Sequence, residues 1–232
     1  MSESLILLPG LLCDERLWAA QTKGLAGSAH IITPDLTCYE SIESMAEGVL
    51  DQIPGGFSLA GFSMGGCVAL EVIARAPFRV RRLALLSTRP KGILPAVRKH
   101  YLESIASVEA GGLDTYLADA FPLYVAPARA HDQALWNIFL AMAKSLGPAV
   151  AVRQMHCLLA YEGFRGDLRR IDCPAVIICG REDRRTPVAV HEELAEQVPG
   201  AVLRVIERAG HFTPLEEPQA VTSAFLDWLH AT

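Results

Sequence analysis

Gly61-Phe62-Ser63-Met64-Gly65-Gly66 sets one serine between glycines two positions before it and two positions after it. An apolar run at 57–61 leads into it, and a segment of helical period at 64–76 follows. A serine on so sharp a strand-to-helix turn must take strained dihedrals, and side chains at the flanking positions would collide, which Gly61 and Gly65 avoid. Such a turn raises the Ser63 hydroxyl above the sheet. It also brings the Met64 N–H to a helix start, where the dipole favours developing negative charge. Ser63 is therefore the candidate nucleophile and Met64 a candidate oxyanion donor.

A serine hydroxyl is a poor nucleophile until a base takes its proton, and the base needs a partner to hold its tautomer. Of the seven histidines, His30, His100, His131, His156, His191 and His230 fall in strand or helix surfaces without special punctuation and read as packing or surface residues. His211 differs, because it lies in Ala209-Gly210-His211-Phe212-Thr213-Pro214, a loop between the last strand and the final helix. The acid candidate is Asp183, in Gly180-Arg181-Glu182-Asp183-Arg184-Arg185-Thr186-Pro187. Glu182 qualifies by type, but adjacent side chains diverge, and only Asp183 stands with two residues between it and the Thr-Pro helix start. The fourth strand ends in Ser87-Thr88-Arg89 and offers no carboxylate. The chain order is Ser63, Asp183, His211, an order characteristic of one fold.

Loops of this kind need a parallel sheet beneath them. Short runs rich in Leu, Ile and Val, at 5–8, 30–33, 57–61, 82–87, 175–179 and 202–206, alternate with helical patterns at 16–25, 42–52, 64–76, 188–197 and 218–229. Being continuously apolar, most of the runs read as strands buried on both faces. Pro187 and Pro218 mark helix starts, where a missing N–H is harmless. The alternation breaks once. Residues 89–166 carry helical patterns at 93–110, 113–120, 128–146 and 149–161, punctuated by Gly111-Gly112, Pro127 and Gly147-Pro148. The fold class is thus α/β, with a core of 1–88 and 167–232 and a helical lid, 89–166, inserted after the fourth strand, above the strand ends where open α/β sheets place ligands.

Composition narrows the partners. With 21 Lys+Arg against 26 Asp+Glu the net charge is −5, and the arginine-rich stretches near 79–82, 165–170 and 181–185 are short and interrupted, so no nucleic-acid partner is expected. Hydrophobic residues make up 51% of the chain, enough for one substantial core. No apolar stretch comes near the roughly 18 residues that would cross a bilayer, so no membrane partner is expected. Met1 to Gly10 has no basic segment and soon reaches the Pro9-Gly10 turn, which is not a secretory signal, and a cytoplasmic location follows as an expectation. Six cysteines without CxxC spacing suggest neither a zinc site nor a disulfide framework. Cys67 stands out only for lying four residues beyond Ser63.

On these residues the chain resembles the α/β-hydrolase superfamily, in the small lid-bearing subgroup that includes carboxylesterases, enol-lactonases, proline iminopeptidase-like enzymes and the menaquinone-pathway synthase. The resemblance runs from the loop after the first strand to the closing helix. It implies acyl transfer, with Ser63 attacking a carbonyl, His211 carrying the proton and Asp183 orienting His211. In that family the residue after a His-Gly pair following the first strand donates a second oxyanion N–H. The matching segment here is Leu8-Pro9-Gly10-Leu11-Leu12, so Leu11 inherits the role, while Pro9 stands where the family usually has histidine. The antiparallel hairpin with which the family often begins has no counterpart, implying a minimal sheet of about six parallel strands. No metal and no organic cofactor is implied. Serine as nucleophile also sets the chain apart from the dehalogenase and epoxide-hydrolase branches, which need a carboxylate there.

Specificity is expected from the lid and from residues flanking the triad. Leu12, Phe62, Trp136, Phe212, Tyr124, Met155 and Tyr161 could form an apolar wall, and Arg89, directly after the fourth strand, could anchor a substrate carboxylate. The lid is not unusually apolar, which favours a small ester, lactone or thioester over a long lipid. Two other readings use the same residues. One is carbon–carbon cleavage or proton abstraction with elimination on an acidic substrate, and the other is a slow-turnover small-molecule receptor.

Overall fold

The computed structural model describes residues 3–231. Six strands, β1 (Ser4–Leu8), β2 (His30–Ile32), β3 (Phe57–Phe62), β4 (Val80–Leu86), β5 (Ala175–Gly180) and β6 (Val202–Ile206), form one sheet in the order β2-β1-β3-β4-β5-β6. Every neighbouring pair is parallel. All six positions of β3 and of β5 are buried, which is why those runs are continuously apolar. The edge strand β6 instead alternates exposed and half-buried residues. β4 stops at Leu86, one residue short of the expected end, because Ser87 takes a positive φ of 45° and turns the chain out of the sheet.

Successive residues of β1 serve opposite faces. Leu5 and Leu7 join a core with α1 (Ala19–Leu25) and the closing helix, whereas Ile6 and Leu8 join a core with α2 (Ile42–Gln52) and α3 (Met64–Arg75). The first helix starts later than its apolar period suggests, since Glu15–Trp18 form a 3-10 turn capped by the Asp14 side chain. A reciprocal Ser41–Ser44 capping box opens α2. The remaining helices are α4 (Pro95–Glu109), α5 (Leu113–Tyr124), α6 (Gln133–Ala160), α7 (Val188–Gln197), α8 (Thr213–Glu216) and α9 (Pro218–His230).

Strand order reverses beside β1, whose neighbours are β2 and β3. Leu8 pairs with Gly61, so the loops leaving β1 and β3 emerge side by side at the switch point where doubly wound sheets bind ligands.

Among the described residues, 89–166 add α4, α5 and α6 but no strand of the sheet. The ends of this stretch meet, since Lys91 and Gly163 form an antiparallel bridge and the Phe164 N–H donates to the Pro90 carbonyl at 2.6 Å. α5 continues through Pro122 to Tyr124, beyond the expected end at 120. Gly147, at φ 80° and ψ 173°, interrupts α6 where two separate helices were expected. By length and composition alone, α6 is apolar enough to cross a bilayer, with a mean hydropathy of 1.4 over 18 residues, contrary to the expectation that no stretch comes near that length. Phe139, Met142, Ala151 and Met155 of this helix are buried in the core that also holds α4 and α5, Leu140, Leu146 and Val152 are half-buried against it and Ile138 is exposed, and the backbone breaks at Gly147.

Candidate active site

Ser63 caps α3 with φ 52° and ψ −112°, a conformation that L-residues adopt only under constraint. Its N–H donates to the Leu86 carbonyl at 2.9 Å, and its own carbonyl accepts the Thr88 hydroxyl at 2.8 Å. The glycines answer to close approach. A Cβ on Gly61 would run into the Gly65 carbonyl, and one on Gly65 would run into the Leu8 carbonyl.

Loops after β5 and β6 bring the other two candidates to this serine. His211 Nε2 lies 3.0 Å from Ser63 Oγ, and His211 Nδ1 lies 2.8 Å from Asp183 Oδ2. With Nδ1–H donated to the carboxylate, Nε2 is left to accept the serine proton. Asp183 is fully buried, and its second oxygen accepts the N–H groups of Arg185 and Thr186 at 2.8 and 2.9 Å. The Thr186 hydroxyl donates to Oδ2 at 2.7 Å. Burial opposes ionisation of Asp183, but the His211 charge and these hydrogen bonds outweigh it and hold the carboxyl at about 2.

A second carboxylate shapes the histidine loop. Glu216, at the end of α8, accepts the Gly210 N–H at 2.9 Å and the Ala126 N–H at 2.7 Å, tying the loop after α5 to the His211 loop. Burial pushes its carboxyl up to about 7 despite those two donors. His191 acts behind β4. Its Nε2 accepts the Thr88 N–H at 3.1 Å while Nδ1 faces the Pro187 carbonyl at 3.2 Å, and burial holds the imidazole down at about 4, hence neutral.

The Met64 N–H, in the first turn of α3, and the Leu11 N–H, in the loop after β1, have no protein acceptor among the described residues. The Leu12 N–H is engaged, donating to Gln154 Oε1 at 2.9 Å. Gln154 on α6 is buried and thus supports the loop in which Pro9 replaces the usual histidine. Thr88, Thr186, His191, Gln154 and Glu216 all escaped the sequence reading, because each acts through a partner set by the fold. Only the Asp183–Thr186 pair, three residues apart at a helix start, left a local signal.

A cavity of about 70 Å³ opens at Ser63, lined by Met64, Cys67, Ser87, Thr88, Arg89, Tyr161, Arg185 and His211 among others. Arg89 and Tyr161 lie at its wall. Leu12, Phe62, Phe212 and Trp136 do not line it, which corrects the apolar-wall expectation for them. Phe62 and Phe212 stack on each other with centroids 5.9 Å apart, and Phe62 backs His211 at 5.2 Å. Trp136 is further removed, packed on Phe121 at 5.3 Å inside the helical layer, and Leu12, Tyr124 and Met155 are core residues. Aromatic pairs gain more from one another than from an open cavity. Cys67 lines the cavity, but burial raises its thiol to about 11, so it stays protonated. All six cysteines are free.

A doubly wound parallel sheet carrying a hydrogen-bonded Ser–His–Asp chain on the loops after β3, β6 and β5 defines the α/β-hydrolase class of architecture. The model of the alpha/beta hydrolase family matches residues 5–224, and the chain belongs to that family of enzymes. Its sequence is 24% identical over 239 residues to the pimeloyl-[acyl-carrier protein] methyl ester esterase of Nitrosomonas europaea, covering 95% of this chain and 93% of that one. Among solved structures, a thermophilic esterase from Thermogutta terrifontis superposes with a TM-score of 0.89 at 24% identity, covering 100% of this chain and 92% of its own. The enol-lactonase from Burkholderia xenovorans LB400 gives a TM-score of 0.90 at 20% identity, with the same coverage.

Proposed function

We propose that the protein is a serine hydrolase of small carboxylic esters, lactones or thioesters, with Ser63 as nucleophile, His211 as general base and acid, and Asp183 as the group that orients His211. The observation that carries this reading is the unbroken relay from a strained Ser63 through His211 to a buried Asp183, at 3.0 and 2.8 Å. Ser63 Oγ attacks the carbonyl carbon as its proton passes to His211 Nε2. The resulting oxyanion takes the Met64 and Leu11 N–H groups. Collapse expels the alcohol or thiol, which takes the proton back from His211. Water then attacks the acyl-serine carbonyl as the same nitrogen takes its proton, and collapse of that intermediate breaks the Ser63 ester bond, releasing the acid while His211 returns the proton to Ser63 Oγ. No step calls for a metal or an organic cofactor.

In this reading residues 89–166 form a lid over the site, hinged where Lys91 meets Gly163. Support comes from relatives described as methyl ester esterases and from the enol-lactonase likeness in fold. The test is steady-state hydrolysis of p-nitrophenyl esters from acetate to decanoate by wild type and Ser63→Ala. A Ser63-dependent optimum at short acyl chains is expected, with turnover falling on the order of 10⁶-fold in the variant. Turnover that survives in Ser63→Ala would remove the assignment. Absence of Ser63-dependent ester turnover would instead favour carbon–carbon cleavage, elimination or a receptor.

A further inference from the structure

Two guanidinium groups, Arg89 and Arg185, border the Ser63 cavity, and neither has an ion-pair partner among the described residues. Lys91 at the same cavity is neutralised by Glu193 at 2.5 Å. The carboxylates close by are already engaged: Asp183 is committed to His211 and Thr186 and meets Arg185 only through its backbone N–H, and Glu71 is held by Arg75 and the Tyr161 hydroxyl.

The two arginines differ in how they are held. The Arg89 side chain makes no hydrogen bond among the described residues. Arg185 is half-buried, with Nη2 donating to the Tyr101 hydroxyl at 3.1 Å and the guanidinium carbon 4.7 Å above the Tyr124 ring. Stacking on one face leaves the guanidinium edge as a fork of donors suited to a carboxylate. A partly buried cation is costly unless it is paired, and holding it in advance lowers the entropy lost when an anion arrives.

Position adds a second argument. Arg185 and Tyr101 line the Ser63 cavity and also a cavity of about 200 Å³ between α4 and α5, so they form the shared wall of the two. The carboxylates at the outer cavity, Glu103 and Asp119, are on exposed positions, and Glu103 faces Lys99 at 3.6 Å. A spare donor lies on the inner side. The Ser87 hydroxyl is buried without a hydrogen-bond partner among the described residues, on a residue of positive φ that lines the Ser63 cavity.

We propose that Arg185, steadied by Tyr101 and Tyr124, is a specificity-determining residue that binds a second, free carboxylate on the substrate while Ser63 attacks the ester carbonyl. The substrate class is then a half-ester, lactone or thioester of a dicarboxylic acid. This deepens the hydrolase reading above and rests on it.

The test compares p-nitrophenyl hydrogen adipate with its neutral methyl-capped counterpart, which share chain length and leaving group and differ in charge. Wild type is expected to favour the acid in kcat/KM by about 10- to 100-fold, the range of one charge-assisted pair, with the difference carried by KM. In Arg185→Met the ratio should fall to about one, and Arg185→Lys should restore part of it. The ratio is internal to each variant, so a change in folded fraction does not move it, and competitive inhibition of the wild type by adipate against hexanoate needs no variant at all. No acid preference in wild type, a preference kept in Arg185→Met, or one lost only in Arg89→Met would overturn the Arg185 assignment while Ser63-dependent hydrolysis stood. If neither ester is hydrolysed through Ser63, the hydrolase reading falls, and calorimetry decides the arginine by itself. Adipate binding at least about tenfold tighter than hexanoate, abolished in Arg185→Met, upholds the carboxylate site, and equal binding removes it.

Discussion

The side-chain carbonyl of Gln154 accepts the Leu12 N–H at 2.9 Å across 142 residues of chain, joining α6 to the loop that presents Leu11. Leu12 sits at φ 56°, a conformation that leucine rarely takes and that this bond helps to hold. Gln154→Met keeps the volume but removes the acceptor and leaves a buried N–H unpaired, at a cost of about 1–3 kcal/mol. If the neighbouring Leu11 N–H serves the oxyanion as proposed, turnover should drop by about 10- to 100-fold with KM little changed, because the displaced loop then misplaces a donor used in the transition state rather than the ground state. Gln154→Glu, which keeps an acceptor, should recover much of it. Wild-type kcat in Gln154→Met would show that the loop holds its shape unaided.

Asp183→Asn should lower kcat on the order of 10⁴-fold, since an amide at this position favours the wrong tautomer of His211. The Asp183 carboxyl is held at about 2, so in wild type it contributes no limb to the pH–rate profile between pH 4 and 9. Stopped-flow or steady-state profiles of both proteins check the pair of statements, and a loss of less than tenfold would assign the acid elsewhere.

His191 and Glu216 should move stability in opposite directions with pH. The imidazole of His191 is depressed from 6.5 to about 4, so the unfolded chain binds its proton first, and the stability linked to it is full above 6.5 and is lost as pH falls through 4. At about 1.4 kcal/mol per unit this amounts to at most on the order of 3 kcal/mol. The carboxyl of Glu216 is raised from 4.5 to about 7, so its contribution is full below 4.5 and is lost as pH rises through 7. Urea midpoints at pH 4.5 and 7 should show His191→Gln losing the acid-side slope and Glu216→Gln losing the opposing one. Parallel slopes in all three proteins would refute both.

Ser63→Gly should be more stable than Ser63→Ala by about 1 kcal/mol. The backbone at φ 52°, ψ −112° carries strain that glycine relieves, and this gain of roughly 1–3 kcal/mol is offset in part by glycine's greater freedom in the unfolded chain. Thermal unfolding of the two variants side by side reads the difference, and equal midpoints would mean that the turn is unstrained.

Much of the architecture was legible because it rests on local physics. Continuous apolar runs at β3 and β5 can only be strands buried on both faces, and the Gly61–Gly65 spacing around Ser63 can only serve a turn where backbones touch. The ends of elements were less legible. The positive φ of Ser87 ends β4, and the Asp14-capped 3-10 turn delays α1, both through torsions that composition does not announce. Trp136 and Phe212 looked like cavity walls because an aromatic side chain in a helix or loop has the same period whether it faces a ligand or another ring.

The amino-acid sequence by itself determined the kinds of group and their order along the chain, because the glycine-flanked Ser63 turn and the loops after β5 and β6 each follow from a few neighbouring residues. Which groups meet was decided by tertiary structure alone. Gln154 reaches Leu12, His191 reaches Thr88 and Arg185 lies over Tyr124 only once the sheet and its helices close, since each partner is distant in sequence and the energy of such contacts depends on burial and geometry that no local pattern encodes.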